Sequence, residues 1–311
     1  MAAADVPVIC GPTAAGKSAI ALRLAEQQAT TIISADSRQI YRGFDIGTAK
    51  PTLAERARVP HRGIDIVDPC ERYSAAQWSA LAEEWIDEAF VAGRMPIVVG
   101  GSGLYLRALF DGLFDEPELD AHRRRGLEVV LGALPLEELR RWAVALDPER
   151  AHLGRTQLLR AIEVALLTGQ RVSLLHRERL RPPRWTPRYL LVDPGPALGG
   201  RIAARVDAML DGGWLDEVRV LAESLPRDGP AWKATGYRHV RALILGQSTR
   251  SDTRERIVIE TRQYAKRQRT WFRHQLPAHR VTRLDPLRDE ARDLVDAWWS
   301  TFSTPEAPRD A

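Results

Sequence analysis

The segment Gly11-Pro12-Thr13-Ala14-Ala15-Gly16-Lys17-Ser18 has the residue types and spacing of a phosphate-binding loop (P-loop), G-x-x-x-x-G-K-[ST]. It lies between an apolar run at 6–10 and a helix-like run at 19–28. In such a loop the glycines allow a tight turn whose backbone N–H groups face an anion, and the helix dipole adds positive potential. Lys17 supplies a positive charge, and the Ser18 hydroxyl can coordinate a Mg²⁺ ion that the phosphates hold. The loop therefore predicts a polyphosphate ligand, but it does not identify one.

Strand-like and helix-like segments alternate along the first hundred residues, and these elements must position the loop. Short β-branched runs such as Thr31-Ile32-Ile33 are typical of strands buried on both faces of a sheet. The alternation predicts an α/β fold, with a P-loop and a parallel sheet core wrapped by helices. The predicted strands are 6–10, 30–35 and 96–100, and the predicted helices are 18–28 and 74–92.

Two polar segments, 36–39 and 101–103, begin where the second and third predicted strands end. Because ligands of parallel sheets bind at the carboxyl ends of the strands, both segments should lie beside the loop. P-loop hydrolases usually bind Mg²⁺ with an Asp after a core strand, but Gly101-Ser102-Gly103 contains no carboxylate. Asp36 is the available carboxylate. It can hold Mg²⁺ or act as a general base beside the leaving phosphate, and the residues leave both roles open.

The composition changes between residues 114 and 183, where helix-like stretches rich in Arg and Glu replace the β-branched runs. We interpret this region as a helical lobe inserted into the sheet domain, with Arg181-Pro182-Pro183 as the returning segment. A strand at 189–193 and one long helix at 201–224 then resume the core. The predicted domains are a core at 1–113 and 184–303, a lobe at 114–183 with helices at 119–131, 136–145 and 155–168, and a loose tail at 304–311.

A predicted helix at 252–275 carries an excess of positive charge. Between residues 254 and 273 it has seven basic residues and only Glu255 and Glu260 as acidic ones. Solvated helix faces normally alternate in sign, so the excess favours contact with a nucleic-acid backbone over simple exposure to water. The cationic face consists of Arg262, Lys266, Arg269 and Arg273. The face predicted to be buried consists of Val258, Thr261, Ala265, Gln268 and Phe272.

The composition argues against several classes of protein. With 311 residues the chain can form a core of its own, and it has no apolar run of about 18 residues to span a membrane. Residues 1–7 lack the features of a signal peptide, and Cys10 and Cys70 are too few for a disulfide framework or a metal site. We therefore expect a protein of the reducing cytoplasm. Its net charge is only +4, so the clustering of the basic residues matters more than their sum.

Several segments together resemble the tRNA dimethylallyltransferase family, in order from residue 8 to about residue 273. Their combination is far more specific than the loop alone. They are the loop itself, Ser34-Ala35-Asp36-Ser37-Arg38-Gln39-Ile40-Tyr41, Ile46-Gly47-Thr48-Ala49-Lys50-Pro51, Gly100-Gly101-Ser102-Gly103-Leu104-Tyr105, Arg160-Ala161-Ile162-Glu163, Gly236-Tyr237, Thr261-Arg262-Gln263-Tyr264-Ala265-Lys266-Arg267-Gln268 and Thr270-Trp271-Phe272-Arg273.

The resemblance implies transfer of a dimethylallyl group from dimethylallyl diphosphate to N6 of the adenosine next to the anticodon on its 3′ side, with release of pyrophosphate. Asp36 is then the candidate base that takes the proton of the adenine amino group. The loop, including Thr13, would bind the diphosphate, and Arg205 matches a family arginine on the pyrophosphate side. By the same resemblance Ser37, Arg38 and Gln39 would contact the target nucleotide, with Ser102 close to it.

The expected partner is the anticodon stem-loop of tRNA. Its target base is stacked and must be turned out, at a cost of a few kcal/mol that remote contacts have to offset. We place those remote contacts on Gln157 and Arg160 of the lobe and on the cationic helix face, whereas Asp36, Ser37, Arg38 and Gln39 are expected to contact the target nucleotide of the tRNA itself. Gln157 stands where an arginine is common in the family. Mg²⁺ is the expected cofactor, and a monomer without membrane association is expected.

Three other functions remain open from the residues. A P-loop kinase of a nucleotide or small metabolite explains the loop and Asp36, but it leaves the cationic helix and the inserted lobe without a role. A non-catalytic RNA-binding ATPase lacks the second carboxylate of that class. Prenyl transfer to free AMP needs no cationic helix.

Overall fold

The computed structural model describes residues 5–111, 119–178 and 184–302. The chain forms two compact units, one of Met1–Phe110 with Arg184–Ala311 and one of Asp111–Pro183. The predicted return segment Arg181-Pro182-Pro183 and the predicted tail 304–311 lie outside the described residues.

A parallel sheet forms the centre of the first unit, with strand order β3-β2-β4-β1-β5-β6. Except for Asp5, every residue of β1, β2 and β4 is buried, which agrees with their apolar and β-branched sequences. The predicted α/β fold is therefore confirmed. The strands are β1 (Asp5–Cys10), β2 (Thr30–Ala35), β3 (His61–Arg62), β4 (Met95–Gly100), β5 (Thr186–Val192) and β6 (Val281–Leu284).

Helices surround the sheet in the first unit. The long helix predicted at 201–224 is wrong, because the chain turns at Gly212-Gly213 between two separate helices. Gly213 has φ 96°, a left-handed conformation that glycine adopts without strain. The helices are α1 (Lys17–Gln27), α2 (Leu53–Arg58), α3 (Ala75–Val91), α4 (Gly103–Phe110), α9 (Leu198–Asp211), α10 (Trp214–Ser224), α11 (Tyr237–Ile244), α12 (Arg250–Gln275) and α13 (Ala291–Trp299), with α5 to α8 in the second unit.

Helix α12 is the long helix predicted from the cationic segment. Thr249 caps it, since its hydroxyl accepts a hydrogen bond of 3.1 Å from the backbone N–H of Asp252. Its apolar face packs on the unit as the spacing predicts. The residues on that face are Val258, Ala265, Gln268 and Phe272, which are buried, and Thr261, which is half-buried.

The second unit is helical in its described part. Two small clusters of apolar side chains hold it together, one around Ile162 and Leu139 and one around Val164 and Leu175. Its helices are α5 (Ala121–Ala133), α6 (Leu136–Leu146), α7 (Arg155–Thr168) and α8 (Val172–Glu178).

Candidate active site

The phosphate-binding loop begins at the carboxyl end of β1 with backbone conformations that restrict its sequence. Gly11 has φ 145°, and a Cβ atom there would lie 2.1 Å from the Val192 carbonyl oxygen, so only glycine fits. Ala14 and Gly16 also have positive φ angles, 62° and 103°. The Lys17 ammonium donates a 2.7 Å hydrogen bond to the Pro12 carbonyl oxygen. The tight turn expected from the glycines is therefore present, with the ammonium folded against it.

Asp36 lies directly after β2, at the same edge of the sheet. Its carboxylate accepts a 2.8 Å hydrogen bond from the backbone N–H of Arg38, which fixes the turn at 36–38. The Ser102 hydroxyl accepts a 2.9 Å hydrogen bond from the Ser37 backbone N–H. The segments after β2 and β4 thus converge, as expected from a parallel sheet.

Charges of both signs meet in one cavity lined by Lys17, Asp36 and Arg205. Burial lowers the pKa of the Lys17 ammonium to about 8; Asp36 opposes this shift and Arg205 reinforces it. Burial also lowers the pKa of the Arg205 guanidinium, against the attraction of Asp36. Two cations held in a poorly solvated cavity can bind a strongly charged anion with much greater energy than in water.

Helix α9 presents two arginines to the loop from one face, four residues apart. Arg205 donates a 3.2 Å hydrogen bond to the Thr13 hydroxyl. Arg201 donates a 2.9 Å hydrogen bond to the Ala14 carbonyl oxygen, and it contributes to a shallow opening beside Lys17. Arg205 was expected from the sequence. Arg201 was missed, although its i,i+4 spacing from Arg205 was a signal.

Helix α12 contributes two polar side chains to the same cavity, Tyr264 and Gln268. Burial, with the Asp36 charge adding to it, raises the pKa of the Tyr264 phenol to about 12, so the phenol is neutral. The Gln268 amide oxygen accepts a 2.9 Å hydrogen bond from the Thr13 backbone N–H, and its nitrogen donates a 2.9 Å bond to the Gly101 carbonyl oxygen. Neither side chain was assigned a site role from the sequence.

The loop after β2 forms the rim of the cavity, and Gln39 is anchored within it. The Ser34 hydroxyl donates a 2.9 Å bond to the Gln39 amide oxygen. The Gln39 nitrogen donates to the carbonyl oxygens of Thr48 and Ala49, at 3.2 and 3.0 Å. Both ends of this amide therefore have protein partners, so Gln39 is held in place where it lines the cavity.

Lys50 and Glu217 hold the rim loop in place. The Lys50 ammonium, whose side chain is 1% exposed, donates to the Tyr41 carbonyl oxygen and pairs with Asp45 and Asp65. Glu217 of α10 accepts bonds of 2.9 and 2.6 Å from the backbone N–H groups of Asp45 and Ile46. The sequence offered no signal for Glu217, because it lies 171 positions or more from its partners.

An adjoining cavity shares Thr13, Asp36 and Arg205 with the first one, but its far wall is apolar. The apolar part is formed by side chains of α9, α10 and α12. Asp36 and Arg205 therefore lie between a polar cavity at the loop and an apolar one. The apolar wall consists of Ile202, Val206, Met209, Trp214 and Ile257.

Within residues 5–111, 119–178 and 184–302, no three His, Cys, Asp or Glu side chains are grouped as a metal site. In the same ranges, no helix is both long and apolar enough to cross a membrane.

The predicted cationic face of α12 is divided between protein contacts and solvent. Arg269 forms an ion pair with the Asp193 carboxylate and donates a 2.6 Å hydrogen bond to the Gly195 carbonyl oxygen. Arg262 donates a 3.4 Å bond to the Gly199 carbonyl oxygen. Lys266 and Arg273 are exposed. Lys266 lines an open surface groove that also contains Arg267, Thr270, Trp271, His274 and Gln275.

The two lobe residues predicted to contact tRNA, Gln157 and Arg160, belong to α7 of the second unit. Gln157 is exposed at the start of α7, where its amide oxygen accepts a 3.4 Å bond from the Gly154 backbone N–H. The Arg160 guanidinium lies 3.5 Å from the Glu163 carboxylate, which is buried and also pairs with Arg124. Arg160 is thus part of an ion-pair cluster inside the lobe.

Fold and site together define an α/β protein whose P-loop-type turn meets a carboxylate and an arginine at the carboxyl edge of a parallel sheet. The chain belongs to the IPP transferase family, whose model matches residues 39–275, and an isopentenyl transferase model matches residues 4–61. The family predicted from the sequence motifs is therefore confirmed.

Named relatives are similar over most of the chain. The tRNA dimethylallyltransferase of Bordetella petrii is 44% identical, over 86% of this chain and 90% of the relative. The tRNA dimethylallyltransferase of Halorhodospira halophila is 43% identical, over 93% of this chain and 97% of the relative. The crystal structure of a eukaryotic dimethylallyltransferase acting on tRNA has a TM-score of 0.79 at 26% identity, over 97% of this chain and 81% of that one.

Proposed function

We propose that this prenyltransferase moves a dimethylallyl group from dimethylallyl diphosphate to N6 of the tRNA adenosine on the 3′ side of the anticodon. The observation that carries the proposal is the placement of Asp36 and Arg205 between a cationic cavity at the loop and an apolar cavity. Transfer of a dimethylallyl group to tRNA is also the activity of the named relatives. The family match does not favour the alternative of a P-loop kinase.

The loop and its two cations bind the leaving group. Residues 11–18, with Lys17 and Arg205, neutralise the diphosphate as the allylic C–O bond breaks and negative charge grows on the departing oxygen. Arg205 is held through the Thr13 hydroxyl at the entrance to the apolar cavity. The dimethylallyl group fits that apolar wall because it has no polar atoms to satisfy.

Asp36 acts as the base at the opposite side of the reacting carbon. An adenine amino group is a weak nucleophile, since its lone pair is delocalised into the ring. Asp36 takes the proton from N6 as the new C–N bond forms. Its own turn, fixed by the Arg38 N–H and the Ser37–Ser102 contact, keeps the carboxylate oriented while Ser37, Arg38 and Gln39 border the nucleotide.

The donor set fits a Mg²⁺ ion bound mainly by the diphosphate. The Ser18 hydroxyl lines the same cavity as Lys17 and Arg205, so it would hold the ion beside the diphosphate oxygens. Mg²⁺ prefers to keep waters and substrate oxygens, with one or two protein ligands. When bound, it would stabilise charge on the diphosphate oxygens.

The groove on α12 and the exposed lobe residue Gln157 are the proposed tRNA contacts. Cationic and aromatic side chains together are typical of surfaces that bind RNA through phosphates and stacked bases. That groove is lined by Lys266, Arg267 and Trp271, and none of its lining residues is a carboxylate. We keep the expectation that the protein acts as a cytoplasmic monomer.

The function is tested by incubating the protein with labelled dimethylallyl diphosphate and unmodified tRNA, with free AMP in a parallel reaction. Label in the tRNA adenosine is the expected result. Label in AMP alone would instead support transfer to a free nucleotide. Transfer of label from ATP to a nucleotide, with no prenylation, would support the kinase alternative and overturn the proposal.

The lowered pKa of Lys17 predicts a pH dependence of donor binding. Since this pKa is about 8, the ammonium loses its charge as the pH rises through 8, and attraction to the diphosphate falls. We expect the dissociation constant of pyrophosphate for the free enzyme to rise above pH 8. Isothermal titration from pH 6.5 to 9.5 measures it. The Lys17→Arg variant, which stays charged, serves as the control and should show a flatter profile.

Charge reversal on α12 separates RNA contacts from structural ion pairs. Lys266→Glu should weaken tRNA binding by about tenfold and reduce its dependence on salt, because a phosphate contact is lost. Arg269→Glu should instead lower the melting temperature by roughly 2–4 °C, since it places a carboxylate against Asp193. Arg292→Glu on α13 is the control with the same change in net charge. Equal tRNA affinities for Lys266→Glu and Arg292→Glu would remove Lys266 from the interface.

A further inference from the structure

We propose that Gln268 is a positioning residue of the reaction, because its buried amide holds the phosphate-binding loop and the segment after β4 at a set distance. This inference rests on the proposed function, since it assigns a role within the same site. Neither Thr13 nor Gly101, the two residues that Gln268 joins, is close to it in sequence.

The contact requires an acceptor and a donor at the end of the same side chain, and the amide of Gln268 supplies both. The oxygen of Gln268 accepts from the Thr13 N–H, and the nitrogen donates to the Gly101 carbonyl oxygen, both at 2.9 Å. The side chain is 6% exposed, so water cannot replace these bonds at full strength. A carboxylate has no donor, and a thioether has neither a strong donor nor a strong acceptor.

Gly101 is matched to this side chain. A Cβ atom at Gly101 would lie 2.3 Å from the Gln268 nitrogen and 3.2 Å from the Gly11 carbonyl oxygen. The missing side chain lets the helix amide enter between the two loops. The side chain of Gln268 therefore fits against Gly101 because position 101 has no side chain, although the two residues are 167 positions apart in sequence.

The two ends of this bridge reach opposite sides of the reacting centre. On one side Thr13 is fixed twice, at its backbone N–H by Gln268 and at its hydroxyl by Arg205. On the other side Gly101 precedes Ser102, which accepts from the backbone N–H of Ser37 next to Asp36. Loss of the bridge would let the leaving-group side and the base side move relative to each other. A displacement of about 1 Å is enough to lower a rate a hundredfold.

The test compares Gln268→Met, which keeps the length of the side chain, with two controls. Gln263→Met makes the same change at an exposed position of α12, and Val295→Ala destabilises the core of α13. We expect Gln268→Met to lower kcat at saturating substrates by about 10- to 100-fold while the Kd for tRNA changes less than about threefold. Both controls should stay within about twofold of wild-type kcat at a temperature below all melting transitions.

A double-mutant cycle with Thr13→Val distinguishes positioning from general stability. Thr13→Val removes the hydroxyl that Arg205 contacts, so the two changes should be less than additive in kcat if Gln268 acts through Thr13. Additive effects, or a kcat for Gln268→Met within twofold of Gln263→Met, would overturn the inference. If Gln268→Met does not fold, Gln268→Glu is assessed by the same criteria. Failure of the wild-type protein to prenylate tRNA would instead overturn the proposed function.

Discussion

The Asp36→Asn variant is expected to transfer the dimethylallyl group about 10²–10⁴ times more slowly than the wild-type protein, with pyrophosphate binding retained. An amide cannot take the proton from N6, whereas the adenine must lose that proton for the product to be neutral. The fold of the turn should survive, because the Asn oxygen can still accept the hydrogen bond that the Arg38 N–H donates to Asp36.

Rapid-quench measurement of a single turnover, with tRNA and donor saturating, isolates this step from product release. Pyrophosphate affinity is measured in parallel, and we expect it to stay equal or to increase, since a negative charge beside Lys17 is removed. Asp289→Asn, at an exposed turn before α13, is the matched control. A turnover rate for Asp36→Asn close to that of this control would exclude Asp36 as the base.

Replacement of Arg205 by Gln is expected to lower kcat by about 10²–10³-fold. Gln can still reach towards the Thr13 hydroxyl, but it brings no positive charge to the leaving oxygen. The effect should be large because burial already disfavours the Arg205 charge, so that its attraction to an anion is screened little by water. Lys17 remains in the variant, and donor binding should therefore fall less than the rate.

Arg205→Lys separates charge from geometry. It keeps the charge but loses the planar group that can contact Thr13 and a phosphate oxygen together, so we expect an intermediate rate. The measurements are kcat and KM for the donor, with Arg219→Gln on the exposed side of α10 as control. A larger effect on KM than on kcat would assign Arg205 to ground-state binding instead of the transition state.

The two cations at the loop differ in how they respond to pH. Lys17 has a pKa near 8, whereas an arginine retains its charge throughout the physiological range. Above pH 8 the attraction to the diphosphate should therefore depend increasingly on Arg205. In the Arg205→Gln variant the pKa of Lys17 should rise, because the repulsion from Arg205 is lost, so the pH-dependent loss of donor binding should begin at a higher pH than in the wild-type protein.

Local patterns in the sequence determined much of the fold. Strand β2 and helix α7 have the predicted bounds, because buried β-branched runs and helical periodicity act over a few neighbouring residues. The phosphate-binding loop was predictable for the same reason, since the positive φ angles of Gly11 and Gly16 are conformations that glycine adopts without strain. The break at Gly212-Gly213 was missed although a pair of glycines is itself a signal that a helix ends.

Long-range contacts decided what the sequence left open. Arg269 pairs with Asp193, 76 positions away, and no local pattern of the sequence indicates this partner. Gln268 was predicted only as a buried residue of a helix face, yet its amide joins Thr13 to Gly101. The spacing of apolar residues predicts which side of a helix is buried. The hydrogen-bond partner of a polar side chain depends instead on how elements that are distant in sequence pack together. Thus the loop, the alternation of strands and helices and the family could be predicted from the sequence. Which side chains of α12 line the site and which lie on the surface was decided by the packing of this helix on the sheet domain.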